Sequence, residues 1–202
     1  MVIGVTGGVG AGKSAVLGIF KERYGASLIM ADDVARELME PGRASYDGVV
    51  AEFGWEILEN PRERFSPINR KALADIVFSD KERLAALNSI THPAVKEEIK
   101  RRIRREYVLE PEVVIVVEAA LLIEAGYEDL TDCLCVIITD KESRIKRLMA
   151  SRGYTREKCE SVIANQMSDE EFEAHADFVI DNSADLENTA NQVAKIMKKL
   201  IR

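Results

Sequence analysis

A glycine-rich stretch near the start of the chain carries the residues best suited to phosphate chemistry. Residues 7–14 read GGVGAGKS, which matches the pattern G-x-x-x-x-G-K-[ST]. Residues 1–5 are apolar and β-branched, which predicts a strand, and residues 14–24 carry apolar side chains at helical spacing. A loop between a strand and a helix start offers backbone N–H groups and the positive end of the helix dipole to an anion. The stretch therefore predicts a phosphate-binding loop.

The residue types in this loop have separate roles. Glycines let the backbone bring its amides against phosphate oxygens. Lys13 is predicted to reach the β- and γ-phosphates of a nucleotide, and the Ser14 hydroxyl to ligate a bridging Mg²⁺. The predicted ATP-binding residues are Gly8, Val9, Gly10, Ala11, Gly12, Lys13, Ser14 and Ala15. The alternative, a glycine-rich turn with an incidental lysine, leaves the complete pattern unexplained.

Four further strands are predicted to position this loop, at residues 27–31, 113–118, 133–139 and 178–181. The runs VVIVVE and LCVIIT are continuously apolar, as in parallel strands that helices cover on both faces. Helical patterns lie between the strands and after the last one. The alternating order predicts an α/β fold with a doubly wound, five-stranded parallel sheet.

Two segments are longer than a crossover connection needs. Residues 32–111 separate the second and third strands, with helical patterns at 34–39, 46–53, 69–78, 81–90 and 93–107. Residues 143–176 follow the fourth strand, and their short helices predict a small mobile lid. The predicted organisation is a nucleotide-binding core of residues 1–31, 112–142 and 177–202, a helical insertion over 32–111 and a lid over 143–176.

Composition narrows the classes of partner. The 202 residues include 28 Lys and Arg against 35 Asp and Glu, a net charge of -7, which argues against a nucleic-acid partner. Cys133 and Cys135 lie in an apolar run and are interpreted as strand residues rather than zinc ligands or a disulfide framework. The sequence shows neither a signal peptide nor a membrane span, so a cytoplasmic, soluble protein is expected.

Side chains that end the strands are candidate site residues, because ligands of open α/β sheets bind at the carboxyl edge. Asp32 follows the second strand and either accepts a proton from an acceptor hydroxyl or caps the next helix. Glu118 ends the third strand and either holds Mg²⁺ through its water shell or interacts with a helix start. Arg147 and Arg152 either neutralise a transferring phosphoryl group or form a solvated helix face.

The region around His92 also carries two interpretations. His92 precedes Pro93, a favoured first-turn residue, so it either caps a helix over 93–107 or contacts a substrate. The helix carries several cations, and the pairs Glu97–Arg101 and Glu98–Arg102 stand at i,i+4 spacing. These pairs favour a solvated, salt-bridged face, with a pyrophosphate contact from one or two cations as the alternative.

Several motifs, in order and spacing, resemble those of the dephospho-coenzyme A kinases over nearly the whole chain. They are GVTGGVGAGKS, ADDVAR at 31–36, HP within SITHPAV, ALLIEAG at 120–126, QMS at 166–168 and ADFVIDNSADLE at 176–187. The resemblance implies a Mg²⁺-dependent transfer of the ATP γ-phosphate to the 3′-hydroxyl of dephospho-coenzyme A. It implies that residues 32–111 bind the acceptor and that the second insertion is the lid.

The resemblance also implies roles for individual residues. Asp32 matches the residue taken as the catalytic base, and Lys13 and Arg147 complete the predicted catalytic set. Asp32, Arg36 and His92 are the predicted acceptor contacts, and Ser14 and Glu118, the latter through water, are the predicted Mg²⁺ contacts.

The sequence departs from the family pattern at four places. Met30 replaces an acid two residues before Asp32, Ser151-Arg152 replaces an Arg-Asp pair in the lid, Val162 replaces an arginine, and Ala120 replaces a proline. These changes retain Asp32 and Arg147 and alter other charges of the lid.

Three other readings compete with this one. Another P-loop small-molecule or nucleoside monophosphate kinase would prefer a nucleotide as acceptor. A GTP-binding switch would need a guanine-reading N-K-x-D motif, whereas the fourth strand ends ITDKES. A decayed nucleotide-binding module would bind ATP without turnover. The expected partners are ATP and dephospho-coenzyme A, without nucleic acid or membrane, in a monomer or weak homo-oligomer.

Overall fold

The computed structural model describes residues 1–201, and residue 202, the last of the predicted core segment, lies outside them. The chain divides into two units. The first unit contains residues 1–29 and the chain from residue 103 onward, and the second unit contains residues 30–102. The functional division into core, insertion and lid stays a prediction.

Five strands form one sheet, in the order β2-β3-β1-β4-β5. They are β1 Val2–Thr6, β2 Ser27–Met30, β3 Ile115–Glu118, β4 Cys133–Ile138 and β5 Phe178–Asp181. β1 pairs in parallel with β3 and β4, and β4 pairs in parallel with β5. Every residue of β1 and β3 is buried, which explains why both strands are apolar up to their last residues, Thr6 and Glu118. The predicted α/β fold with a five-stranded parallel sheet is confirmed.

Nine α-helices occur in residues 1–201. They are α1 Lys13–Tyr24, α2 Ala31–Leu38, α3 Tyr46–Phe53, α4 Arg70–Ser79, α5 Lys81–Leu109, α6 Lys141–Arg152, α7 Arg156–Ala164, α8 Asp169–His175 and α9 Leu186–Leu200. Side chains of Asp140, Thr155 and Ser168 cap α6, α7 and α8. Such caps satisfy backbone N–H groups that a helix start leaves unpaired. None of these helices combines the length and apolar character of a membrane span.

Helix α5 differs from the sequence-based expectation. The sequence predicts separate helices over 81–90 and 93–107, but α5 is continuous and contains Pro93, so that prediction is wrong. Of the two interpretations of His92, the cap fails with it, because His92 lies inside the helix. Thr91 and Val95 are buried on either side of the proline, and the Thr91 hydroxyl donates to the Leu87 carbonyl at 2.9 Å. Packing on both sides of Pro93 therefore outweighs its tendency to end a helix.

The second unit has its own apolar core. Tyr46, Val49 and Phe53 of α3 pack with Leu73 and Val77 of α4. A short 3₁₀ turn and a bridge between residues 58 and 68 close the polar loop between these helices. The core gives α3 and α4 a fixed arrangement within this unit.

Candidate active site

The phosphate-binding loop has a backbone that its glycines alone permit. β1 leads into residues 7–12, and α1 begins at Lys13 with Gly12 as its N-cap, at φ 86°. Gly7 and Gly10 also have positive φ, of 147° and 79°. A Cβ atom at Gly7 would overlap the Ile137 carbonyl oxygen of β4. Glycine is therefore required at Gly7 by contact with the neighbouring strand as well as by conformation.

The carbonyl oxygens of residues 7–12 all accept hydrogen bonds from within the first unit. The donors, in order, are Lys13 Nζ to Gly7, Ala11 N to Gly8, Arg144 Nε to Val9, Arg147 Nη1 to Gly10, three groups to Ala11, and Ala15 N to Gly12. Carbonyl oxygens repel phosphate, so their engagement elsewhere favours an anion on the amide side of the loop.

The Ala11 carbonyl is the most heavily engaged of these groups. It accepts from Thr139 Oγ1 at 2.8 Å, Asn182 Nδ2 at 2.9 Å and Arg147 Nη1 at 3.1 Å. Thr139 follows β4 directly and Asn182 follows β5 directly. Residues at the carboxyl ends of β4 and β5, together with Arg147 of α6, therefore hold the loop through one atom, the Ala11 carbonyl oxygen.

Lys13 and Glu118 lie together beneath the loop. Lys13 Nζ donates to the Gly7 carbonyl at 3.0 Å and is 3.6 Å from Glu118 Oε1. Glu118 is buried, at 6% exposure, and lies opposite Val5 in the sheet register. No α-helix begins in residues 119–127, so Glu118 caps no helix directly after β3, and its ion pair is with Lys13, the first residue of α1. Ser14, the second residue of α1, is exposed.

The two candidate arginines of α6 have different surroundings. Arg147 is half-buried and donates to the carbonyls of Ala11 and Asn182, the latter at 2.8 Å. The solvated interpretation is therefore wrong for Arg147. Arg152 is exposed at the end of α6, and its guanidinium lies 5.9 Å from the centre of the Tyr154 ring. The structure brings Arg147 to the loop and leaves Arg152 on the surface.

Four side chains that hold the loop were not predicted as site residues. They are Thr139, Arg144, Gln166 and Asn182. Gln166 and Asn182 fall within the motifs QMS and ADFVIDNSADLE, so a signal for them existed. Thr139 follows β4, and a polar residue at a strand's carboxyl end is a weaker signal. The sequence carried no local signal for Arg144.

Asp32 and Arg36 lie one turn apart on α2, in the second unit. Asp32 is exposed, and α2 begins directly after β2 with Met30 as its N-cap and no side-chain cap bond. The capping interpretation of Asp32 is therefore wrong, although a carboxylate in the first turn still favours the helix dipole. Arg36 Nη1 is 2.6 Å from Asp33 Oδ1, and each of these two side chains is about half exposed.

His92 lies within α5 and is half-buried. Burial lowers the pKa of His92 below its ordinary value of 6.5. The imidazole is therefore neutral at pH 7, which suits a hydrogen-bonding role rather than a cationic one.

A pocket of about 390 Å³ lies within the second unit, and we call it the insertion pocket. Its apolar lining includes Met39, Leu73 and Phe78, and Arg36 and Arg70 supply cations. A pocket of this kind can bind a ligand that combines an anionic group with an apolar chain.

Comparisons with known proteins point to one family. The family model for dephospho-CoA kinase matches residues 1–188. A dephospho-CoA kinase from Carboxydothermus hydrogenoformans is 40% identical over 98% of this chain and 93% of its own, and one from Geobacter sulfurreducens is 40% identical over 98% of both. The solved dephospho-CoA kinase from Campylobacter jejuni is 27% identical, with a TM-score of 0.70 over 98% of this chain and 96% of its own. The resemblance found in the sequence is confirmed, and the chain belongs to the dephospho-CoA kinase family.

Proposed function

We propose that this chain transfers the γ-phosphate of ATP to the 3′-hydroxyl of dephospho-coenzyme A and thereby forms coenzyme A. The observation that carries the proposal is the phosphate-binding loop, whose carbonyl oxygens at residues 7–12 all bond within the first unit. That loop suits the phosphates of the donor, and family membership supplies the acceptor.

On the donor side, Lys13 and Arg147 supply the charge that phosphoryl transfer needs. Lys13 is within reach of the loop and exchanges its contact with the Gly7 carbonyl for the β- and γ-phosphates. Arg147 is fixed by the carbonyls of Ala11 and Asn182 and neutralises charge that develops on the transferring group. Because these carbonyls already orient Arg147, little reorganisation of its guanidinium accompanies the reaction.

The residues present also fit a Mg²⁺ ion. Residues 1–201 contain no cluster of three or more His, Cys, Asp or Glu that could enclose a metal. Mg²⁺ in kinases usually keeps several waters and binds one or two protein oxygens beside the phosphates. The Ser14 hydroxyl and, through water, the Glu118 carboxylate would hold it. The ion, when bound, draws negative charge from the phosphate oxygens.

On the acceptor side, Asp32 orients the 3′-hydroxyl and accepts its proton. Arg36 follows Asp32 by four residues of α2, about 6 Å of rise, and lines the insertion pocket. A 5′-diphosphate at Arg36 places the ribose toward Asp32 and the pantetheine arm toward the pocket. An exposed pair such as Arg36–Asp33 contributes about 1 kcal/mol or less, so a diphosphate displaces Asp33 readily. Neutral His92 serves as a hydrogen-bond partner.

The proposal is tested by ADP release from Mg²⁺-ATP with dephospho-coenzyme A, with nucleoside monophosphates and without acceptor. We expect ADP with dephospho-coenzyme A alone, and a product phosphorylated at the 3′ position by mass spectrometry and NMR. Equal ADP release without acceptor, or preference for a nucleotide, would overturn the assignment of the acceptor.

A single substitution tests the base. Asp32→Asn should lower kcat roughly 10²- to 10⁴-fold, the usual contribution of a positioned base, while ATP affinity stays within twofold of the wild type. Asp33→Asn, one residue along α2, is the matched control and should retain kcat. An unchanged kcat in Asp32→Asn would remove Asp32 from this role.

We also infer a cytoplasmic location and a monomeric or weakly associated state from the sequence. Sedimentation of the purified chain across concentrations tests the second of these inferences.

A further inference from the structure

Val9 of the phosphate-binding loop is held at three points by the segment that follows β4. Its N–H donates to Gln166 Oε1 at 2.8 Å, and its carbonyl accepts from Arg144 Nε at 3.0 Å. Its side chain packs against the cluster formed by Ile145, Leu148 and Cys159. The backbone polar groups and the side chain of this one residue are therefore all engaged by α6, α7 and the turn between α7 and α8.

The two polar contacts form a closed ring. Arg144 Nη2 donates at 3.1 Å to the same Gln166 oxygen that accepts from Val9. Arg144 is 4% exposed, and a Cβ atom at Gly8 would overlap its guanidinium. Asp169 Oδ1 lies 3.4 Å from Arg144 Nη1. Desolvation lowers the pKa of Arg144, and the Asp169 carboxylate opposes that shift. A guanidinium keeps its proton in proteins, so Arg144 carries a buried positive charge.

A charge buried to this degree needs a specific compensation, because desolvation of an ion costs several kcal/mol. The ring supplies acceptors for Arg144 from Val9, Gln166 and Asp169. Gln166 supplies one of these three acceptors, and the same oxygen also holds the Val9 amide. Loss of either side chain breaks the same ring.

We propose that Arg144 and Gln166 are positioning residues that fix the phosphate-binding loop through Val9 before a nucleotide binds. The inference rests on the proposed function only in taking a nucleotide phosphate as the ligand of the loop. Since both residues lie in the predicted lid, this part of the segment is an extension of the loop rather than a free flap. A change in the packing of α6 against α7 should therefore also change the affinity of the loop for phosphate.

The test measures ADP binding to the full chain by calorimetry in the presence of Mg²⁺, with Arg144→Met, Gln166→Met and the double variant. We expect each single variant to weaken ADP binding about tenfold, since a preorganised site loses part of its affinity when its loop must be ordered on binding. The double variant should bind no more weakly than either single variant, because one ring is lost in all three. Lys146→Met, an exposed cation of the same helix, is the matched control and should bind as the wild type does.

A merely structural brace gives different results. It would lower Tm in each variant while ADP binding to the folded protein stays within twofold of the wild type, or the double variant would show the product of the two single effects. Either result would overturn the proposal. Because ADP binding requires no acceptor, a failure of dephospho-coenzyme A as substrate leaves this test unaffected.

Two further measurements apply if the methionine variants do not fold. Gln166→Glu keeps an acceptor oxygen for both Val9 and Arg144, and ADP binding should stay within threefold of the wild type. In the wild-type chain without nucleotide, NMR should show slow hydrogen exchange of the Val9 amide. Fast exchange at Val9, or a loss of ADP binding in Gln166→Glu, would contradict the ring.

Discussion

Two arginines of the first unit and two of the second are held in opposite ways. In the first unit, Arg144 and Arg147 donate to backbone carbonyls of the phosphate-binding loop and are buried or half-buried. In the second unit, Arg36 and Arg70 pair with surface carboxylates, and about half of each side chain is exposed. The chain therefore fixes Arg144 and Arg147 and leaves Arg36 and Arg70 with surface partners that they can exchange.

This difference matches the chemistry proposed for each unit. A phosphoryl group in transfer develops charge at fixed positions, and donors that are already oriented stabilise it without reorganisation. A long acceptor with a diphosphate and a flexible arm binds at a lower cost to side chains whose surface ion pairs are weak, because those pairs break easily as it binds. The predictions below test whether activity depends on fixed arginines in the first unit and on arginines that exchange partners in the second.

The largest expected effect comes from a methyl group at Gly7. Gly7→Ala places a Cβ atom on the Ile137 carbonyl, and both groups belong to backbone that cannot yield locally. We expect a loss of about 3 kcal/mol or more in the free energy of unfolding, together with loss of ADP binding. Urea unfolding and calorimetry measure the two effects.

Gly42→Ala is the matched control in the second unit. Gly42, like Gly7, has a positive φ that side chains rarely adopt, here 78°, but a Cβ atom there meets nothing within 4 Å. Only the left-handed strain of about 1 kcal/mol should appear. Equal losses of stability in the two variants would contradict the claim that the loop is tightly held and the surface of the second unit is open.

The fold was largely predictable because its signals are local. Short apolar segments indicated all five strands, two of them as continuous apolar runs, and the G-x-x-x-x-G-K-[ST] pattern located the loop and Lys13. Pro93 is the exception: it normally ends helices, yet buried neighbours keep α5 continuous. A proline that ends helices can be recognised from the local sequence. The tertiary packing that keeps α5 helical around Pro93 cannot be recognised in this way.

The candidate site was predictable only in part, for a related reason. Lys13 and Glu118 could be placed from motif and strand order, and the structure brings them within 3.6 Å. Arg144 could not, since its function depends on contacts with residues 9 and 166, which are distant in sequence. A lone arginine on a helix is usually solvated, and only the tertiary structure reveals that this one is buried.

The next prediction compares one arginine from each unit. Arg147→Lys retains a charge but loses the planar fork that reaches Ala11 and Asn182 together, so kcat should fall about 100-fold with little change in the acceptor KM. Arg36→Lys should raise the KM for dephospho-coenzyme A about tenfold and leave kcat within twofold. The reverse pattern, with the KM effect at Arg147, would break the assignment of fixed and exchangeable cations.

A smaller effect is expected from an apolar residue of the insertion pocket. Phe78 lines the pocket and is 85% exposed, so Phe78→Ala should alter the free energy of unfolding by less than about 0.5 kcal/mol. If the pantetheine arm covers this side chain, the acceptor KM should rise about fivefold, since one partly buried aromatic contributes about 1 kcal/mol. Trp55→Ala, at an exposed aromatic that does not line the pocket, is the control and should retain the wild-type KM.

Glu98 differs from the exposed carboxylates that pair with Arg36 and Arg70 in the second unit, because its side chain is largely buried. Its substitution gives the smallest expected effect. Its side chain is 16% exposed and is bonded to Arg101 and Arg102, which lower its pKa from the ordinary 4.5 to about 2. A depressed carboxylate pKa stabilises the fold above about pH 4.5, and that contribution is lost as the pH falls toward 2. Because Arg101 is exposed and screened, Glu98→Gln should lower the free energy of unfolding by about 1 kcal/mol at pH 7. Urea unfolding of both proteins at pH 7, 4 and 3 should show the difference shrinking with pH, and a constant difference would mean that the ion pairs of this unit are not what Glu98 contributes.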